Sequence, residues 1–329
     1  MGKKQFWTVS VVTLLVVIMP IFGKYFFPGL NRYILHVGTF MCIMTILSVG
    51  LHIFFGICGQ INFGCNGFYA CGGYIASVLM INLKCHYFIA LPLAVIGTGI
   101  ITVLLGFAVL RLRHWVLALG TAAFGFAAFI AFRTVAVGLL GGDDGLFVSK
   151  LMIFGKKAGP SFYYYFALAW TIISILGSYF LENSRAGRAM KSIRADEVAA
   201  QVAGINIDHY IRMAFLLNGM YAGLAGALYA QWNRGVSPDS FTPDIAMLVL
   251  VYVVVGGLGR LSGAVIGTFI LVLLPELLIP LKEYELLIYA VIFFLVIRFM
   301  SKGFVGTVQD FLHRRRMVRL EAAGQYSQG

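Results

Sequence analysis

From Tyr33 to Leu83 the chain runs 51 residues without a lysine, arginine, aspartate or glutamate. A run of that length fits lipid better than water, and it is too long for one crossing, since a spanning helix takes about 20 apolar residues. The stretch "GICGQINFG", Gly56 to Gly64, divides it, because glycine lets a helix break and lets backbones approach closely. The run therefore predicts two helices with broken backbone between them. Such a break at membrane depth survives only when buried in protein or lining a cavity. Within it, Gln60 and Asn62 can satisfy freed peptide groups or touch a polar solute, while tight helix packing explains the glycines equally well.

Further uncharged stretches lie at 5–23, 85–110, 114–132, 158–181, 213–233, 245–259, 261–275 and 286–297. Composition agrees with a membrane protein: 60% of residues are hydrophobic and 12% charged, against about 45–50% and about 25% in soluble domains. The expected fold is all-α and polytopic, with about ten transmembrane helices, the last three of them short. The first run lacks a small-residue cleavage site and reads as a signal anchor. Residues 1–32 then form this helix and a first outer loop, 33–300 the membrane domain, and 301–329 a basic tail.

Ten spans place both termini on one side. With the N-terminus inside, 16 of the 25 lysines and arginines fall on inner segments. The positive-inside rule then makes both termini cytoplasmic. The net charge of +12 follows from this topology, with "RRRMVR" lying against anionic headgroups. Scattered over several loops, the charge gives no nucleic-acid surface.

Few ionisable groups fall deep in the spans. His36, His52, Arg133 and Glu276 are the nearest, the last two close to predicted ends. Ion-coupled machines place such groups in the membrane interior, so their scarcity argues against a secondary transporter or channel. His52 can line a pathway, but a hydrogen-bonded structural role is the favoured reading. There is no H-E-x-x-H, no G-x-S-x-G and no cysteine–histidine cluster with metal spacing, and the chain holds no P-loop. It is not expected to be an enzyme or to hold a cofactor itself. The five cysteines read as small buried hydrophobes, and Asp143-Asp144 as a solvated turn.

A second glycine-dense junction, "VVGGLGRLSGAVIGT", contains Gly256, Gly257 and Gly259. The pairs Gly219–Gly223 and Gly263–Gly267 keep the spacing of close helix contacts. Thr242-Pro243-Asp244 reads as the start of a helix: N-cap, first-turn proline and acid.

One segment departs from the pattern. "NSRAGRAMKSIRADEVAAQVAGINIDHY", Asn183 to Tyr210, is polar between apolar neighbours. From Arg194 to Gly204 it reads as one helix. Ala195, Val198, Ala199 and Val202 form an apolar stripe, and Gly204 stops the helix as its C′ residue. Such a helix can lie on the headgroups. Alanine and valine are shallow anchors, though, and a small-residue stripe suits a groove on another protein.

The same segment resembles the coupling motif E-x-A-A-x-x-x-G of ABC importer permeases, at Glu197, Ala199, Ala200 and Gly204. "GQINFG", "LRLRHWVLALGTAAFG", "GGDDGL", "GRAMKSIRADEVAAQVAGIN", "AGLAGALYA", "SPDSF" and "VVGGLGRLSGAVIGT" also occur in the order seen in the branched-chain amino acid ABC transporter permease family (LivH/LivM), most like its LivM-type subunit. This resemblance covers roughly residues 34–300. It implies a permease subunit of a binding-protein-dependent importer in a bacterial inner membrane. The implied partners are two ATPase subunits holding ATP and Mg, a second similar permease subunit and a periplasmic or extracellular solute-binding protein. By the same resemblance, Arg185, Gly187, Arg188, Ala189, Arg194, Glu197, Ala200 and Gly204 belong to ATPase coupling. Gly59, Gln60, Asn62, Gly64, Gly256, Gly257 and Gly259 belong to the pathway or its helix breaks. Phe126, Cys65, Asn62 and Asp143-Asp144 depart from the family's usual residues, all in the membrane region or the outer loop. Urea, short amides or another small polar solute are the alternatives to branched-chain amino acids.

Overall fold

A computed structural model describes residues 31–277, apart from 113–114, 136, 150 and 154–155, with isolated positions at 284, 287, 291 and 294. The expected signal anchor and the basic tail lie outside the described residues, and so does the last span at 286–297 except at 287, 291 and 294.

The long uncharged run divides where its glycines predict. Helix α1 (Asn31–Leu51) continues into a π turn (His52–Ile57), and α2 (Cys65–Ile81) begins just after Gly64. The π turn is defined by the Cys58 N–H, which donates five residues back to the Ile53 carbonyl at 3.3 Å. Then come α3 (Tyr87–Val109), α4 (Trp115–Thr134) and the single turn α5 (Val137–Leu140). Helix α6 (Pro160–Asn183) leads into the polar segment, α7 (Arg185–Ala195) and α8 (Glu197–Val202). Helices α9 (Ile207–Asn233), α10 (Pro243–Gly257) and α11 (Leu261–Leu277) complete the bundle. Two-residue strands pair only in the loops, Leu146–Phe147 with Gly235–Val236 and Met152–Ile153 with Lys156–Lys157.

Among the described residues six helices are long and apolar enough to cross a membrane, not ten. Both α2 and α11 are apolar but only 17 residues long. In α2 the aromatic rings of Phe68, Tyr69 and Tyr74 are almost wholly buried, so neighbouring helices shield it and its length need not match the bilayer. The interior is built around α1 and α9. In the span Arg32–Ile57, 89% of the most apolar window is buried, against 28% in Trp115–Thr134. Helix α9 packs on α1, α2 and α3, and the α2 and α9 backbones touch: a side chain at Gly72 would strike the Gly223 backbone. The Gly219–Gly223 pair receives Thr102 and Thr98 of α3, as its spacing predicts.

At the ends, Arg133 closes α4 by pairing with Asp143 at 2.8 Å and Asp239 at 2.9 Å. Asp143 therefore belongs to an ion pair as well as a turn. Pro243 opens α10, but the Thr242 side chain makes no capping bond, so the expected N-cap acts through backbone geometry alone. His52 is fully buried, and neither ring nitrogen meets a hydrogen-bond partner among the described residues. This corrects the expectation of a hydrogen-bonded histidine.

Candidate functional site

The polar segment folds back beneath the bundle on a tight turn. Ser184 caps α7 by accepting from the Gly187 N–H at 3.2 Å, and Gly187 is buried. A side chain there would overlap the Leu181 and Glu182 carbonyls, so only glycine lets α6 and α7 approach this closely. Lys191 pairs with Glu182 at 2.9 Å and fastens the turn. That buried glutamate, at the end of an apolar run, carried no sequence signal. Met190 and Ile193 turn inward, while Arg185 and Arg188 stay exposed and Ala189 half-buried. Arg188 donates to the Asn183 carbonyl at 3.0 Å.

The single helix expected from Arg194 to Gly204 is two. Asp196 adopts an extended backbone, and its carboxylate accepts from the Ala199 N–H at 2.9 Å. Aspartate competes for backbone donors in this way, which favours caps over helix interiors. Helix α8 ends at Gly204 as expected. Gly204 has φ +80°, with N–H bonds from Gly204 to Gln201 and from Ile205 to Ala200, the Schellman closure. The whole expected stripe of Ala195, Val198, Ala199 and Val202 is exposed, Val198 at 71% and Val202 at 85%. Ala200 instead turns into the bundle, and Glu197 is half-buried. Burial, aided by the Glu197 carboxylate, pushes the neighbouring Cys58 thiol up to about 12.

Arg194, on the last turn of α7, joins what the sequence left separate. Its guanidinium donates to the Gly56 carbonyl in the π turn. Its Cγ lies 2.8 Å from where a side chain at Gly59 would begin, and the guanidinium occupies the equivalent space at Gly259. Both glycines are left-handed, with φ +82° and +81°, a conformation costly to other residues. One arginine thus rests in a cradle made by both glycine junctions. Partial desolvation lowers its pKa.

The first junction is further held by amides. Asn62 accepts from the Gly64 N–H at 2.8 Å and donates to Asn218 of α9 at 2.6 Å. Thr121 of α4 accepts from the Phe63 N–H at 3.1 Å. Gln60 contributes its backbone N–H, bonded to the Phe54 carbonyl at 3.1 Å. Gly64 lies against the Thr121 carbonyl. At the second junction Gly257 (φ +126°) and Gly259 make the break. Gly256 instead packs against Gly263 and Gly267 of α11, and so serves helix contact. Asn218 and Thr121 were missed because each sits singly in an apolar helix, where spacing says nothing of its partner.

A bundle of membrane-crossing helices, interrupted at two junctions and carrying a polar helical segment at one end, defines a multi-pass α-helical membrane protein. Residues 33–298 match the family described as branched-chain amino acid transport system / permease component, and the chain belongs to that family. It is 31% identical over 282 residues to the high-affinity branched-chain amino acid transport system permease protein LivM of Salmonella typhimurium, covering 78% of this chain and 66% of the relative. It is 26% identical to LivH of the same organism, over 80% of this chain and 91% of that one. The autoinducer 2 import system permease protein LsrC of Klebsiella pneumoniae is 28% identical over 36% of this chain and 37% of its own. The chain thus spans just under two thirds of the LivM relatives it matches. No solved structure matches it.

Proposed function

We propose that the chain is a membrane-spanning permease subunit of an ABC importer for branched-chain amino acids. In this reading two partner ATPase subunits bind ATP and Mg, a second permease subunit completes the pathway, and an external binding protein delivers the solute. The termini and the α7–α8 segment face the cytoplasm of a bacterium whose inner membrane holds the complex. The observation that carries this reading is the two-sidedness of the segment. Outward it presents Val198 and Val202, exposed apolar side chains on a six-residue helix. Inward it places Arg194 on both junctions.

A helix of that length has no stability of its own, and its exposed valines suit a groove on a partner. ATP-driven closure of the ATPase pair then moves α7 and α8 together, since Lys191–Glu182 and the Gly187 turn fasten them to α6. Arg194 passes the displacement to the π turn and to the break before α11. Alternating access needs two discrete packings with a bias from the nucleotide state, and helix breaks are where such packings differ.

Co-purification tests this reading. The tagged chain in mild detergent should bring down an ATPase and a second permease. Val198→Asp/Val202→Asp should cut ATPase recovery about tenfold or more, as charge in an apolar core contact does, and leave the second permease in place. Equal ATPase recovery with both chains would overturn the docking role of α8.

A further inference from the structure

We propose that the groove between α3 and α9, at the end of the bundle that carries α7 and α8, is a binding site for an anionic phospholipid. Two cavities meet there. The first, about 300 Å³, has almost wholly apolar walls, among them Val103, Phe107, Met213 and Leu216. The second, about 400 Å³, is polar and is lined by Arg111, Asp208 and Arg212. They share Gly106, Phe107, Leu110 and Arg212, so an apolar slot opens directly into a basic mouth.

The position relative to the bilayer fixes the occupant. Helix α3 is a spanning helix, and its Ile96, Ile100, Val103, Leu104 and Phe107 are exposed, so this face of the bundle meets lipid. Gly106 has no side chain to fill the slot, and the nearest atoms to its missing Cβ belong to Leu110 and Phe215, at 3.4 and 3.5 Å. Arg111 stands two residues beyond the end of α3, and Arg212 lies in the second turn of α9. Both arginines are exposed, Arg111 just past the end of one spanning helix and Arg212 near the start of another. The mouth carries two guanidinium charges against one carboxylate, Asp208, which already interacts within the protein. Net positive charge above an apolar slot complements a phosphate above an acyl chain. Arginine forks match phosphate oxygens, and basic pockets between helices bind anionic headgroups. The proposal depends on the membrane setting and not on transport.

The test uses the full chain in nanodiscs of phosphatidylcholine and phosphatidylglycerol in equal amounts, released into the gas phase for native mass spectrometry. Phosphatidylglycerol should be retained about tenfold over phosphatidylcholine, in keeping with two basic groups near a headgroup. Arg111→Gln/Arg212→Gln should bring the two lipids to parity, and Arg111→Lys/Arg212→Lys should keep most of the preference. Both positions are exposed, so an unchanged melting temperature accompanies either result. Equal retention by the unaltered chain, or a preference that survives the glutamine pair, overturns the proposal. So does a disulfide from Phe107→Cys to another permease chain, which would make the groove a protein interface.

Discussion

The two glycine junctions do the same geometrical work with opposite means. Each ends a helix on a left-handed glycine, Gly59 or Gly259, and each receives Arg194. The first is held by polar groups: the Gly56 carbonyl on Arg194, and the Asn62–Asn218 amide pair with the Thr121 hydroxyl. The second is held by close backbone packing of Gly256 on Gly263 and Gly267 and by backbone bonds through Arg260, with a hydroxyl bond nearby from Thr268 to Ser48 at 2.8 Å. Buried amides tie one junction to a fixed arrangement, because breaking them strands polar groups at about 1–3 kcal/mol each. Glycine packing has no buried amide side chain to strand, so it resists displacement less. A single arginine therefore joins a stiff junction to a slack one.

Alanine at the two left-handed glycines should separate them most strongly. The φ values alone cost about 1–2 kcal/mol at either site. At Gly59 the new methyl also meets the Arg194 backbone at 3.3 Å, whereas at Gly259 it meets only the guanidinium, the far end of the side chain. Gly59→Ala should lower the melting temperature more than Gly259→Ala. Adding Arg194→Ala should recover more of the loss at Gly259, where every close contact is removed, than at Gly59, where Cβ at 3.1 Å and Cα at 3.3 Å remain. Equal losses with equal rescue would show the junctions to be mechanically alike.

A smaller contrast lies in the bonds around them. Asn218→Ala leaves the Asn62 amide without its partner and should destabilise by about 1–3 kcal/mol, while Ser48→Ala should cost about 0.5–1.5 kcal/mol. Chemical denaturation in detergent measures both, and the reverse order would remove the stiff-and-slack distinction.

Much of this was legible in the sequence, for local reasons. The Gly56–Gly64 break, the close approach at Gly219–Gly223 and the end of α8 at Gly204 all follow from glycine's backbone freedom, which acts within a few residues. Helix α2 was misread as a full span because an uncharged run reports the absence of charge, not whether lipid or protein covers the helix. Asp196 split a helix that apolar spacing made continuous, since its cap bond competes with the helical pattern. The resemblance placed Arg194 in the ATPase-coupling segment, but nothing in the sequence linked it to the glycine junctions. Its contacts with Gly56, Gly59 and Gly259 arise from segments far apart in the chain, and no spacing rule reaches that distance.

For the importer complex proposed above, the most direct test of the central claim is the ratio of solute imported to ATP hydrolysed after reconstitution, with Arg194 intact or changed to Gln. The shorter, neutral side chain still allows α8 to dock but loses the grip on both junctions. The prediction is ATP hydrolysis within about twofold of normal and uptake per ATP at least about tenfold lower, a difference of roughly 1.4 kcal/mol in coupling. An unchanged ratio would contradict the claim that Arg194 carries motion from the polar segment into the bundle.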